Sequence, residues 1–205
     1  TFLSSQNLLA SWSALGLKAQ AHRYYQIEAN FSEANSQEVI SAALKKMSGI
    51  NEVEFFNKQG VSPVARNGLA IERVYPDGGH GNLKLYAVPV QTTMFSLDII
   101  QGHWLREHET DEVVLNQSAH SSFFYEKKIG DMINVYIQDK PRQFRLVGIM
   151  SEPLAGASLY IHSIDLMPNS FRLNLNDISA SNIDGFAAQL EHEFKSAGIS
   201  IGSIT

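Results

Sequence analysis

Cysteine is absent from the chain. Disulfides, thiolate chemistry and cysteine-ligated metal centres are therefore excluded, although the absence assigns no compartment. Long apolar runs are also missing: no stretch approaches the roughly 20 residues that a membrane-spanning helix needs. Positive charge is scarce, with 16 Lys and Arg against 21 Asp and Glu and a formal net charge of -5. No general basic field exists to attract nucleic acid or anionic lipid, which leaves only a local patch for either role. Position 1 is Thr, and no basic segment precedes an apolar run. The chain is therefore expected to be a fragment of a longer protein, with no signal peptide of its own. The nucleophile elbow, phosphate loop, dinucleotide fingerprint and zinc-protease helix motif do not occur.

What is present suits a globular fold. Across 205 residues, 44% are hydrophobic and 18% charged, enough for one large domain or two small subdomains with a sizeable core. Leu8, Trp12 and Leu15 share a face at helical spacing, predicting a helix over residues 1–16 that Gly16 stops. Residues 23–31 alternate as a strand, with Tyr25, Ile27, Ala29 and Phe31 on one face. A helix is expected over 36–48, capped by Ser36, with Val39, Ile40, Ala43, Leu44 and Met47 as its apolar stripe and Gly49 at its end. A strand follows at 50–56. Residues 57–82 read as turn-rich, punctuated by KQG, RNG and PDGGHG, with a short strand at 71–75.

Further strands are expected at 83–90, 112–116, 132–138, 142–150 and 159–161. A short helix or turn is expected within 91–104, and a helix over 118–126 capped by Ser118 or Asn116. The end of the chain repeats the order of its beginning. A strand at 171–176 leads to a helix over 181–197 carrying Ile183, Phe186, Ala187, Leu190 and Phe194; Gly198 ends it, and a closing strand follows. The fold class is thus α+β, with a strand-helix-strand unit at each end and a β-rich insert between them. The two units can pair into one open-faced sandwich.

Candidate chemistry is thin. His103, Glu107, His108 and Glu109 cluster in HWLREHE, but the two histidines are five residues apart and meet neither the helical nor the strand spacing of metal ligands. Glu191, His192 and Glu193 are neighbours on a helix and point to different faces. Both groups are expected to be solvated. Asp111 and Glu112 read as a turn before a strand, and the GGHG turn lacks the flanking strand and helix of a phosphate cradle. Tyr24, Tyr25 and the FFYE run at 123–126 are either core or a partner surface. No catalytic, cofactor-binding or metal-ligating residue is assigned, and no cofactor is expected.

Four runs nevertheless carry a resemblance. They are Val88–Leu105 (VPVQTTMFSLDIIQGHWL), Asp111–His120 (DEVVLNQSAH), Lys128–Ile137 (KIGDMINVYI) and Phe144–Met150 (FRLVGIM). In order and spacing they resemble the periplasmic domain of MacB-like and LolC-like ABC-transporter permeases, which share the FtsX-like architecture. Gly102 before His103 and Trp104, Ala119, the Gly130-Asp131 pair, and Phe144, Val147 and Gly148 match that pattern.

The resemblance implies a split porter-like subdomain, residues 1–62 and 165–205, with a β-rich sabre-like subdomain, 63–164, inserted in it. It implies a non-catalytic, extracytoplasmic part of a multi-pass permease on the periplasmic or extracellular face of the bacterial inner membrane. Such a part transmits ATP-driven motion to export, extraction or signalling. Its implied partners are an ABC ATPase, separate or fused, a permease partner in a homodimer or heterodimer, and a periplasmic adaptor or lipoprotein substrate, but no nucleic acid. The alternatives are a stand-alone periplasmic ligand-binding or adaptor module, and a metal-dependent hydrolase built around His103 and His108.

Overall fold

The computed structural model describes residues 16–17, 21–31, 37–64, 83–138, 140–163, 166–176 and 180–204, without the side chains of Ala180 and Ser181. The helix expected over 1–16 up to Ala14 and Leu15, the Ser36 cap, the strand at 71–75 and the PDGGHG turn lie outside the described residues. Gly16, expected to stop a helix, is itself helical together with Leu17. The architecture is mixed α+β. It divides into two compact units, residues 24–58, 87–95 and 163–205 in one, and 1–23, 59–86 and 96–162 in the other.

The first unit is built from both chain ends. Strand β1 is Ile27–Phe31, β9 is Ser170–Leu175 and β10 is Ile201–Ile204; β2, Ile50–Pro63, contributes its first part. Their order is β10-β1-β9-β2, and each neighbouring pair is antiparallel. Two helices, α1 (Gln37–Leu44) and α3 (Ala180–Ser196), cover one face. This is the split strand-helix-strand sandwich that the repeated order predicts. Its core joins Ile40, Ala43 and Leu44 of α1 and Phe186, Leu190 and Phe194 of α3 to Ile27, Ala29, Phe171, Leu173 and Leu175 of the sheet. Phe171 stacks with Phe31 at 5.5 Å and tilts against Phe194 at 5.6 Å. Gly198 follows the end of α3 with positive φ, as expected, whereas Gly49, also at positive φ, lies five residues beyond the end of α1 and leads into β2.

Three expectations are corrected here. The helix ends at Leu44, and Val39 is 45% exposed, so the stripe runs through Ile40, Ala43, Leu44 and Met47 alone. The first strand begins at Ile27, not at Arg23. The segment KQG is no turn: β2 continues through Lys58, Gln59 and Gly60 to Pro63. A single glycine in a strand costs entropy but breaks no ladder, so turn-type composition misreads the segment.

The second unit is β-rich. Strands β8 (Ser158–His162), β5 (Glu112–Asn116), β7 (Lys140–Met150) and β4 (Ile99–Gly102) lie side by side, with β6 (Met132–Ile137) paired to the first half of β7. Strands β5 and β7 are parallel, and the other pairings are antiparallel. Strand β5 is buried along its whole length, as its β-branched run predicts. Strand β3 (Leu83–Val88) is the neighbour of β2 and of β8. The short helix α2, Gln117–Phe123, follows β5 directly. Where a short helix or turn was expected in 91–104, the chain makes a turn near Val90 and Gln91 and then the strand β4. Pro141, expected in the connecting turn, lies inside β7 and faces Tyr136.

Candidate functional site

The motif glycines hold two strands at a separation that no side chain allows. Gly102 in β4 pairs with Gly148 in β7. A Cβ on Gly102, whose φ is +73°, would lie 2.0 Å from the Val147 carbonyl oxygen. A Cβ on Gly148 would lie 2.2 Å from the His103 carbonyl oxygen. The His103 N–H donates to the Val147 carbonyl at 3.0 Å, closing the crossing. Glycine is required on both strands because the backbones touch there.

The other motif residues brace the same sheet. Gly130, at φ +96°, lets its N–H reach the Leu146 carbonyl at 2.8 Å, and the Asp131 carboxylate accepts from the Lys128 N–H at 2.8 Å. Asn116 caps α2 through a bond from the Ala119 N–H at 2.8 Å. The same oxygen accepts from the Ser158 N–H at 3.0 Å, and Nδ2 donates to Glu152 and to the Gly156 carbonyl. Of the two caps expected, Asn116 is therefore the one used. These residues fix a rigid scaffold and offer no reactive group.

In the first unit, the sheet face away from the helices carries a feature that sequence reasoning did not assemble. Glu28, Arg172 and Glu54 lie directly opposite one another on β1, β9 and β2. The Arg172 Nε donates to Glu28 at 3.0 Å, Nη1 approaches Glu54 at 3.5 Å, and the guanidinium lies 4.2 Å from the centre of the Phe56 ring. Lys58 reaches Glu28 at 2.6 Å. Tyr25 and Phe95 complete the aromatic enclosure of the cation.

The two carboxylates respond differently to this burial. Burial raises Glu28, but the charges and hydrogen bonds of Arg172 and Lys58 outweigh it and hold the carboxyl below its ordinary value. Burial also raises Glu54, and its bond to Thr92 and the more distant Arg172 do not offset this, so it sits above its ordinary value. The sequence signal was one buried-face charge in each of three strands, two acids and one base, each flanked by apolar residues.

An open groove of about 650 Å³ runs beside this ladder within the same unit. Its lining includes six consecutive residues of β2, Glu52–Asn57, with Gln37, Pro89, Gln91 and the Ser163 and Leu166–Pro168 stretch around them.

The histidine clusters stay apart from both features. His103 and His108 are exposed, and the His103 ring contacts the Trp104 carbonyl. Among the described residues, no group of three His, Asp or Glu side chains is placed to hold a metal ion. Glu191 and His192 are exposed on α3. Glu112, read both as turn and as the first residue of the strand expected at 112–116, is a fully buried residue of β5 that accepts from the Arg106 N–H and guanidinium. Asp111 accepts from Arg145 at 3.1 Å. Of the aromatic candidates, Phe124 is buried, while Tyr24 and Tyr125 are exposed.

Neither the family models nor the curated proteins compared with this sequence match it. Solved structures do match. The chain has the fold of the periplasmic region of MacB from Actinobacillus actinomycetemcomitans, with a TM-score of 0.50 and 19% identity over 87% of this chain and 86% of that one. The extracellular domain of the noncanonic ABC-type transporter YknZ from Gram-positive bacteria aligns over 87% of this chain and 99% of its own, at 12% identity and a TM-score of 0.47. No helix among the described residues is long and apolar enough to cross a membrane.

Proposed function

We propose that this chain is the extracytoplasmic domain of an ABC-transporter permease. In this role it transmits ATP-driven motion from the cytoplasmic side to export, extraction or signalling outside the membrane. The observation that carries the reading is the fold shared with the MacB periplasmic region across most of both chains. In support, the glycine crossing at Gly102 and Gly148 falls within the runs that gave the resemblance.

In this reading the porter-like subdomain is 1–62 with 165–205 and the sabre-like subdomain is 63–164, whereas the two compact units assign 1–23 to the β-rich unit and 87–95 to the sandwich unit. The domain is not an enzyme. Its energy comes from an ATPase, separate or fused, and it works beside a second permease copy or a homologue. A periplasmic adaptor or lipoprotein is its substrate or outer partner. Mechanical transmission suits a scaffold whose strands are pinned by backbone contact and buried ion pairs.

The gene gives the first test. A transmembrane permease encodes one apolar stretch of about 20 residues before Thr1 and about three after Thr205. A signal peptide leading directly into this sequence, with a stop codon soon after it, refutes the permease reading and favours a stand-alone adaptor module. In the intact permease, spin labels at exposed Val39 and Tyr125 should report an ATP-dependent change in distance to the second permease copy. Distances unchanged through the ATP cycle refute motion transmission.

A further inference from the structure

The groove of the sandwich unit has an uncommon lining. In a strand, successive side chains point to opposite faces, so a cavity over one face is lined by alternate residues. Here six consecutive residues, Glu52–Asn57, line it. That pattern places the groove along the edge of β2 and not over either face. Residues Ile50–Phe56 pair with β9 on one side, so the groove lies along the other. Strand β3, the neighbour of β2, ends at Val88 and is followed by Pro89, which has no N–H to continue a ladder.

The hydrogen-bond parity shows which groups face the groove. The Leu173 carbonyl accepts from the Gln26 N–H at 3.0 Å, on the β1 side of β9. Its partner across the β2 pairing is Val53. In an antiparallel ladder such a pair exchanges no bonds, so the Val53 N–H and C=O point away from β9. The alternation gives Phe55 the same direction. The groove floor is therefore a strand edge presenting backbone donors and acceptors, walled by Gln37 and by Pro89 and Gln91.

We propose that this edge binds an extended, basic peptide segment of a partner protein by strand addition. Main-chain bonds to Val53 and Phe55 provide the register, and lysine or arginine side chains face the acidic lining. The charge of the occupant follows from Glu52, exposed in a lining that contains no Lys or Arg, whereas Glu54 is buried there and already faces Arg172. Six strand residues span about 20 Å, enough for a short peptide strand. The proposal does not depend on the permease reading.

The test uses the whole chain and two labelled peptides, one alternating lysine with valine and one alternating glutamate with valine. Fluorescence anisotropy should show the lysine peptide binding and weakening as salt rises, with the glutamate peptide binding at least about tenfold more weakly. In hydrogen exchange, the lysine peptide should slow the Val53 and Phe55 amides and leave Ile201–Ile204, on the opposite sheet edge, unchanged. Glu52→Lys, at an exposed position, should lower affinity several-fold. Val53→Pro, which removes a donor aimed at the groove and none from the β9 ladder, should lower it about fivefold or more.

Equal binding of both peptides, no binding of either, or protection spread over both edges overturns the proposal. So does protection of Val53 and Phe55 that rises with protein concentration alone, which identifies a second copy of the chain as the occupant.

Discussion

Replacing Arg172 by Met tests whether the Glu28–Arg172–Glu54 ladder holds the sandwich unit together. The Arg172 side chain is 5% exposed and those of the two carboxylates 9% and 6%. At an effective dielectric near 20, opposite charges about 3 Å apart attract by roughly 5 kcal/mol, against which stands the cost of desolvating the guanidinium. Methionine retains much of the aliphatic packing but leaves two buried carboxylates without the cation between them. Glu28 keeps Lys58 at 2.6 Å, whereas Glu54 loses the cation 3.5 Å away. Breaking a buried pair on one side costs about 3–5 kcal/mol.

The readout must belong to this unit, because two compact units need not unfold as one. Hydrogen exchange of the β9 amides supplies it: a loss of that size speeds their slowest exchange by roughly a hundred to several thousand fold. The effect should also fade in acid. In the substituted protein, Glu54 loses an attraction that opposes the effect of burial and rises further above its ordinary value, while Glu28 loses the Arg172 charge and moves up from its lowered one. The cost is then fully present at neutral pH, shrinks as pH falls through the folded values of the substituted protein and is lost only below the lowered Glu28 value of the native chain. An exchange rate within about fivefold of the native chain, or a deficit identical at pH 5 and pH 7, refutes the reasoning.

Three other outcomes follow from the same structure. Gly102→Ala or Gly148→Ala forces the backbones of β4 and β7 apart and should destabilise the β-rich unit by about 3 kcal/mol or more; fluorescence-monitored denaturation with Trp12→Phe as background isolates Trp104 as the reporter, and a loss below about 1 kcal/mol contradicts the close crossing. Asn116→Ala removes the α2 cap and the bond from the Ser158 N–H, and should cost about 2–3 kcal/mol in the same assay, with no rescue by Asn116→Asp, whose second oxygen would face the Glu152 carboxylate and the Gly156 carbonyl. Glu54→Gln should be neutral or stabilising at pH 7: a carboxyl raised by burial costs stability once ionised, so the variant's advantage appears as pH rises through the folded value and disappears below the unfolded one. A strong loss of β9 protection in Glu54→Gln at pH 7 contradicts the direction of that shift.

The sandwich was legible because its signals are local. Helical spacing marks Leu190 and Phe194, alternation marks Phe171, Leu173 and Leu175, and Gly198 marks the end of α3. Boundaries failed where composition and tertiary pairing disagree. Lys58, Gln59 and Gly60 look like a turn, yet β2 runs through them to reach Ser62 and Pro63, which pair with Tyr136 and Val135 of β6. The segment Ile99–Gly102 is only four residues long, too short for alternation to mark, and becomes a strand by pairing with β7.

The site-level features were harder to read for a related reason. Glu28, Glu54 and Arg172 are separated by up to 144 positions, and nothing in their local sequences states that they meet. Three charges on strands otherwise rich in apolar residues were a detectable anomaly, but pairing them requires the strand order, which emerges only when the two chain ends are joined.

That joining also explains where this fold keeps its chemistry. The helix-covered face of the sandwich is satisfied by apolar packing and has no use for charge. The opposite face carries a guanidinium enclosed by aromatic rings between two carboxylates, and the strand that contributes Glu54 to this ladder also forms the floor of the groove. A peptide laid along the β2 edge therefore contacts the element whose partner, β9, holds Arg172. Because Glu54 sits above its ordinary value and Glu28 below it, a cation brought beside Glu54 stabilises its ionised form, whereas Glu28 already has two cations. Occupation of the groove and the protonation of Glu54 are thus thermodynamically linked: a basic peptide should bind more weakly as Glu54 takes up its proton, and binding should release part of a proton at a pH near the Glu54 value. Calorimetric titration in buffers of different ionisation enthalpy measures that release, and a proton count unchanged by Glu54→Gln refutes the linkage.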